Sequence, residues 1–405
     1  MRIVDVRCVE YEGRMDGTRD FWLDRLRQPT DVYPEYSAAG ASQLRRDEDG
    51  NTIVTAVFLH IETDTGLIGS AAAINVNTAA VLLHDLRSHL VGMDPLATEK
   101  VWDVCYRALI HGRSGFGMMA VSAVDNALWD IKGQHFGVPA HVLAGGPTRE
   151  RVPAYISTLG SSLEPDSVRA EVADLAGRGY RGMKWFPRGG PEHGRAGIDR
   201  VVELVGTIRD AAGPEMDIML DAWSTWDVPF TVEVAKATED LRVSWIEEPL
   251  LADDTQGYRA LRRLVGDRTR IVGAEHEYTR WGFARLVAEG TLDLFQADPH
   301  WAGGISEMAK IGAVISAGGG QLIPHGQSMQ CNAAVTFSAS PALIPQAEYL
   351  RRHAVLYQHF LANPIRPVDG FIAAPTLPGL GMALDESKVL AHRTVDPLVA
   401  HRPVG

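Results

Sequence analysis

The sequence predicts an α/β protein built around a closed barrel of parallel strands and helices, preceded by a smaller unit of sheet and helix. Three observations predict it. After Gly145-Gly146-Pro147 short apolar runs alternate with amphipathic segments about eight times, the pattern of a parallel sheet covered by helices. About eight such units favour a closed barrel over an open sheet. The first 145 residues read differently, strands first and helices after, and a chain of 405 residues has room for both units.

In chain order, Ile3 to Tyr11 alternates apolar and charged residues like a half-buried strand, and Ile53 to Thr63 follows as a second before a Gly66 turn. The polar stretch from Asp16 to Gly50 between them is too long for a simple connection, and loops of that length in compact domains are usually functional or disordered. From Thr78 to Phe136 apolar residues recur at helical spacing, as in Val121, Val124, Leu128 and Ile131. Beyond residue 145 the predicted strands are Val152–Ser157, Gly182–Phe186, Asp217–Asp221, Val243–Glu247, Arg270–Glu275, Leu292–Asp298, Gln321–His325 and Gln346–Leu350. Helices predicted between them include Ile198–Ala212, Thr231–Thr238, Gly257–Val265, Arg280–Gly290 and Ser306–Ala317. The tail after Pro364 is rich in Pro and Gly and is expected to fold back on the N-terminal unit.

Composition narrows the function. Hydrophobic residues at 45% and charged residues at 22% describe an ordinary folded chain, which excludes disorder and collagen. Acidic residues outnumber basic ones 51 to 39, and the net charge of −12 removes the attraction a nucleic-acid partner would need. No uncharged 18-residue apolar run supports a membrane span or export signal. Cys8, Cys105 and Cys331 are too few and too dispersed for a disulfide framework or zinc ribbon, so a reducing cytoplasm is the expected compartment.

In a parallel barrel the chemistry lies at the C-terminal ends of the strands. Here each apolar run from the second to the eighth ends in an ionisable residue: Lys184, Asp221, Glu247, Glu275, Asp298, His325 and Glu348. Any one of them alone reads as a helix cap or a solvent contact, but the repetition does not. Three carboxylates on consecutive strands, Asp221, Glu247 and Glu275, could not all ionise at close range without a cation, and oxygen-only ligation favours Mg²⁺ or Mn²⁺ over zinc. His325, with Asp298 on the neighbouring strand, has the make-up of a general base whose tautomer is set by a carboxylate.

This order of residues, stepping by 26, 28, 23 and 27 residues from Asp221 to His325, together with WIEEP, DPHWAGGISE and GGGQLIPHG, resembles the enolase superfamily in its mandelate racemase subgroup. Within that subgroup the chain is most similar to the L-rhamnonate dehydratases, on Phe21-Trp22-Leu23-Asp24, GRSGFGMMAVSAVDNALWDIKGQHFGVPAHVLAGG, GMKWFPRGGPEHGRAG, IMLDAWSTWDV, GAEHE and IPHG.

The resemblance implies a (β/α)7β form of the TIM barrel at residues 146–365, an α+β capping domain at 1–145, and a tail at 366–405 that completes the cap. It implies Asp221, Glu247 and Glu275 as metal ligands for Mg²⁺ (or Mn²⁺), and His325 with Asp298 as the base. Glu348 and Lys184 are the remaining catalytic residues it implies, and the substrate is a small sugar acid. A homo-oligomer is also expected.

Two departures stand out. Phe186 replaces the second lysine of the Lys-x-Lys found in racemases, which disfavours a two-base racemase; an epimerase or a non-catalytic sugar-acid binder are the competing readings. Phe21 stands where the family's loop histidine binds substrate, and either Arg45 or Arg46 takes the place of the loop arginine. Chemistry is therefore better specified than the acid, with L-rhamnonate, L-lyxonate and L-mannonate all open. His276 and Trp223 are expected at the substrate, with His193, His300, Trp185 and Trp226 as further candidates near strand ends. Gly318-Gly319-Gly320 precedes a strand and lacks a following Lys-Ser/Thr, so it reads as a turn and not a phosphate loop.

Overall fold

A computed structural model describes residues 1–16, 21–37 and 44–396. Parts of the expected loop, 17–20 and 38–43, and the last residues of the tail, 397–405, lie outside the described residues.

The N-terminal sheet is antiparallel. Strand β1 (Ile3–Met15) pairs along its whole length with β2 (Thr52–Thr63), and β2 pairs with β3 (Ile68–Ile74). Strand β3 has the sequence IGSAAAI, too poor in branched and aromatic residues to announce a strand, and the sequence pattern leaves it unassigned after the Gly66 turn. Its small residues let it lie directly on the helix Gly115–Phe136, where a Cβ on Gly69 would meet the carbonyl of Ala127. Apolar residues of β1, β2 and β3 and of the helices Thr98–Ala108 and Gly115–Phe136 form one core, including Val6, Leu59, Ala71, Trp102 and Leu128.

The second sheet is parallel and curls into a barrel. Its strands are β4 (Arg151–Ser157), β5 (Gly182–Trp185), β6 (Asp217–Asp221), β7 (Val243–Glu247), β8 (Arg270–Gly273), β9 (Leu294–Phe295) and β10 (Ala347–Leu350). They run in the order β10-β4-β5-β6-β7-β8-β9, and Leu322 joins by a parallel bridge to Phe295 as the seventh position of the barrel. A helix follows each of the first seven, including Pro165–Gly177 and Met329–Ser338, which the apolar pattern left unassigned. This is the (β/α)7β barrel.

Several barrel strands stop short of their predicted ends. The ladder of β8 ends at Gly273 because Gly273 and Ala274 have φ of 153° and 75°, which turns Glu275 out of the sheet. Within Leu292–Asp298 regular strand is limited to Leu294–Phe295, and Gln321–His325 joins it by the bridge at Leu322 and by single backbone bonds such as His325 N to Ala297 O at 3.3 Å. Inside the barrel Tyr155, Met219, Trp245, Val272, Leu294 and Ile323 form a separate apolar plug below the rim.

The tail contributes to both sheets. Strand β11 (Phe371–Ala373) adds antiparallel to β4, and β12 (Ala391–Thr394) adds to β1. No helix among the described residues is long and apolar enough to cross a membrane. Cys8, Cys105 and Cys331 are buried and unpaired.

Candidate active site

The polar strand ends meet at the C-terminal mouth of the barrel. Asp221 and Glu247 are register partners across β6 and β7, so the pairing itself sets their carboxylates side by side. On the neighbouring strand Lys184, near the end of β5, reaches into the ring. Its Nζ lies 3.0 Å from Asp221 Oδ2 and 2.8 Å from Glu348 Oε1, and it also pairs with Glu247. Lys184 is 1% exposed, which costs its charge solvation, yet Glu247, Glu348 and Asp221 hold its pKa well above the usual lysine value. Glu348 gains a second partner in the backbone N–H of Gly326, at 2.9 Å. Burial would raise its pKa, but Lys184 and His325 keep it lowered.

His325 and Asp298, expected side by side, do come together. His325 Nδ1 lies 2.6 Å from Asp298 Oδ2, and its Nε2 faces Glu275 Oε2 at 3.4 Å. Burial disfavours the imidazolium, but Glu275 and then Asp298 more than offset it and raise the pKa to about 10. Trp301 covers the ring of His325 at 4.8 Å between centroids and that of His276 at 5.5 Å.

Glu275 also accepts from the indole N–H of Trp223 at 3.3 Å. Burial, with Glu248 and Asp221 adding to it, raises its pKa to about 7 against the pull of His325 and His276. Glu247 is raised well above the carboxylate range by burial and by Asp221, Glu348 and Glu275, despite Lys184. Asp221 is raised chiefly by burial.

Metal-ligand geometry is distributed. Among the described residues the trio whose ligand atoms lie within 4.8 Å of one another is Glu248, Glu275 and His276, while Asp221 and Glu247 are drawn to Lys184. Glu248 was missed in the sequence because strict alternation puts only one glutamate of the pair Glu247-Glu248 inside. A φ of 39° turns Glu248 inward, where it meets His276 Nδ1 at 2.7 Å. His276, lowered by burial but raised more by Glu248, reaches about 9. Trp223 and Ala274 also have positive φ, so three residues beside the carboxylates hold conformations that L-residues avoid, a pattern that marks functional sites.

Six buried carboxylates, Asp221, Glu247, Glu248, Glu275, Asp298 and Glu348, face three bases, Lys184, His276 and His325. Even with both histidines protonated the cluster is short of positive charge, and its oxygen donors fit a hard divalent cation.

Other predicted residues lie elsewhere. Arg45 pairs with Glu12 at 3.3 Å, and Arg46 bridges to Thr52 and donates to Gly50 O at 2.9 Å. A turn built on Asp47 folds this segment back on the end of the cap sheet, so neither arginine is brought to the carboxylates. Arg45 does line a cleft of about 630 Å³ between cap and barrel, whose opposite side includes Gln327 and Tyr357. Phe21 contributes its carbonyl to Arg352 Nε at 2.6 Å, and Leu23 N donates to Gly160 O, which seats this segment on the β4 and β10 side of the barrel. His193 pairs with Glu192 at 3.0 Å. Trp185 is buried in the core, and Trp226 is buried with its indole N–H on Gly189 O. His300 is buried beside the site, neither ring nitrogen having a hydrogen-bond partner.

Cap and barrel, with a ring of acids and a histidine–aspartate pair at the barrel mouth, define a two-domain barrel enzyme. The chain belongs to the enolase superfamily: residues 167–388 match the family described as Enolase C-terminal domain-like, and residues 51–145 match the Mandelate racemase / muconate lactonizing enzyme N-terminal domain. It is 30% identical over 398 residues to an L-rhamnonate dehydratase of Saccharopolyspora erythraea, covering 95% of this chain and 97% of that one. Among solved structures it resembles rhamnonate dehydratase from Gibberella zeae complexed with Mg, with a TM-score of 0.83, 26% identity and coverage of 99% and 98%. It also resembles a racemase from Streptomyces coelicolor with bound magnesium, with a TM-score of 0.76, 26% identity and coverage of 96% and 98%.

Proposed function

We propose that this chain is a Mg²⁺-dependent acid-sugar dehydratase that removes the proton α to a carboxylate, expels the 3-hydroxyl as water, and yields a 2-keto-3-deoxy acid. The observation that carries this reading is the His325–Asp298 pair, 2.6 Å apart and facing Glu275, on a barrel whose β5 offers Lys184 but no second lysine. Its relatives include dehydratases, and L-rhamnonate or a related acid such as L-lyxonate or L-mannonate is the substrate we favour.

Asp221, Glu247 and Glu275 would hold the cation. When bound, it supplies Lewis-acid stabilisation to the substrate carboxylate and offsets the charge of Glu275 that keeps His325 protonated. The remaining steps belong to side chains. Neutral His325 takes the α-proton through Nε2 while Asp298 holds Nδ1–H and supports the charge that develops on the ring. Lys184, kept cationic by its three carboxylates, serves as an electrostatic partner and not as a second base. His325 then returns the proton to the 3-hydroxyl on the same face, the C3–O bond breaks, and the enol left behind ketonises. Trp301 and Trp223 shield the ring and the Glu275 carboxylate from water.

The test is a screen of C5 and C6 aldonates with the purified chain and Mg²⁺, reading out 2-keto acid. Formation of a 2-keto-3-deoxy acid from one of them is the expected outcome. α-Hydrogen exchange with deuterium without loss of water would instead identify an epimerase.

A further inference from the structure

We propose that the cap helix Gly115–Phe136 is the positioning element of the His325–Asp298 pair, acting through Pro299–Ser306, the loop after β9 together with the first turn of the helix Gly304–Ala317. The proposal rests on the reading of that pair as the base. Regular strand is short here, since β9 has two residues, and the chain on either side is held by single bonds, Gln296 N to Gly273 O at 2.8 Å, Ile323 N to Phe295 O at 2.9 Å and His325 N to Ala297 O at 3.3 Å. These bonds end at Ala297, so the direction of the Asp298 carboxylate is set by the segment that follows it.

One face of the helix supplies it. Ser122, Asp125, Asn126 and Trp129 recur at the three- and four-residue spacing that lines one side of a helix. Each bonds the loop. Ser122 Oγ accepts from Gly303 N at 2.9 Å, Asp125 Oδ2 from Ser306 N at 2.8 Å, and Trp129 Nε1 donates to Ser306 Oγ at 2.8 Å. Asn126 holds both ends of the loop at once: its Nδ2 donates to Pro299 O at 3.0 Å, and its Oδ1 accepts from Ile305 N at 3.2 Å. Trp102 of the neighbouring cap helix adds a bond from Nε1 to Gly303 O at 2.8 Å. The approach is close because Gly303 and Gly304 have φ of 126° and 82°, and a Cβ on Gly304 would strike Asp125.

The loop in turn sets the pair. His300 N donates to Asp298 Oδ1 at 2.5 Å, the N–H groups of Trp301 and Ala302 donate to Asp298 O, and the Trp301 ring lies on His325. Asp298 has two carboxylate oxygens, one committed to the loop and the other to His325. A displacement of the loop therefore rotates the oxygen that His325 needs. Among the described residues none of these helix side chains hydrogen-bonds a barrel-mouth carboxylate; they are positioning residues.

The experiment compares Asn126→Asp and Trp129→Phe with the parent, as full chains loaded with Mg²⁺. Asn126→Asp keeps the acceptor but loses the donor to Pro299, and Trp129→Phe removes one donor while keeping an aromatic ring. Four quantities are read: the melting temperature, kcat and KM on the aldonate identified above, and the Nδ1–H signal of His325 in ¹⁵N-histidine-labelled protein, assigned by its absence in His325→Asn. The expected result is a kcat at least tenfold lower for Asn126→Asp and at least threefold lower for Trp129→Phe. KM should stay within twofold and the Nδ1–H signal should shift or broaden in both. Unchanged kcat and an unchanged signal in Trp129→Phe, with any effect of Asn126→Asp confined to melting temperature, would overturn the proposal and leave the helix a merely structural brace. If no aldonate is turned over, the functional reading fails, while the Nδ1–H signal still decides this one.

Discussion

His325 and Asp298 show how far a single side chain can be read from sequence. Their types and their places at successive strand ends were enough to pair them, because a parallel barrel brings such ends together. If His325 is the base proposed above, His325→Asn should lower dehydration by several orders of magnitude and abolish α-hydrogen exchange, measured by ¹H loss in deuterium oxide. Asp298→Asn should be less severe, since the ring survives with a poorer orientation. Exchange that persisted in His325→Asn would make another group the base. A different histidine sets a pH limit on stability. His60 lies between Tyr11 OH at 3.0 Å and Ser70 Oγ at 2.9 Å in the cap sheet, and burial, with Arg7 adding to it, lowers its pKa to about 4. Above pH 6.5 it is neutral in the folded and unfolded chain alike. Between pH 6.5 and 4 the unfolded chain takes up a proton that the folded one refuses, so stability falls with pH, by on the order of 3 kcal/mol at the acid end. Burial lowers His353 to about 4 as well, so melting temperatures at pH 7 and pH 5 should differ in the parent and differ less in His60→Gln; equal differences would remove His60 as a cause.

Elements were legible where apolar periodicity governs them and obscure where packing does. Asp217–Asp221 and Val243–Glu247 have the ends that the apolar runs predict, since both faces of these strands are buried. Strand β3 was not legible, because its Ala and Gly residues carry no strand signature and owe their conformation to the helix beneath them. The same contact makes a prediction. Gly69→Val places a branched side chain against the carbonyl of Ala127, a rigid backbone group, and should cost about 1–3 kcal/mol as overpacking. Urea denaturation reads this directly, and a loss below 0.5 kcal/mol would mean that β3 can move off the helix. The inward turn of Glu248 and the clamp on loop 299–306 escaped for a related reason: they depend on positive φ and on contacts between the cap helix and the barrel, which no local pattern encodes.

Across the whole molecule the buried charge at the barrel mouth is the largest unbalanced feature. Cap and barrel each have an apolar core, yet six carboxylates with three bases lie at the barrel mouth, and their mutual repulsion opposes folding in the absence of a cation. A divalent ion that binds the folded chain and not the unfolded one stabilises it by RT ln(1 + [L]/Kd), about 2.7 kcal/mol at one hundred times Kd. Mg²⁺ should therefore raise the melting temperature of EDTA-treated protein, and turnover should return with it. Glu247→Gln separates the two contributions. It removes one negative charge and one ligand, so the EDTA-treated variant should be at least as stable as the parent, provided Lys184 keeps Asp221 and Glu348, while the rise with Mg²⁺ shrinks and turnover is lost. The comparison is four melting curves, parent and variant each with EDTA or Mg²⁺, beside the matching assays. A parent whose melting temperature ignores Mg²⁺ and whose activity survives EDTA would remove the cation from this site and leave Lys184, His276 and His325 as its counter-charges.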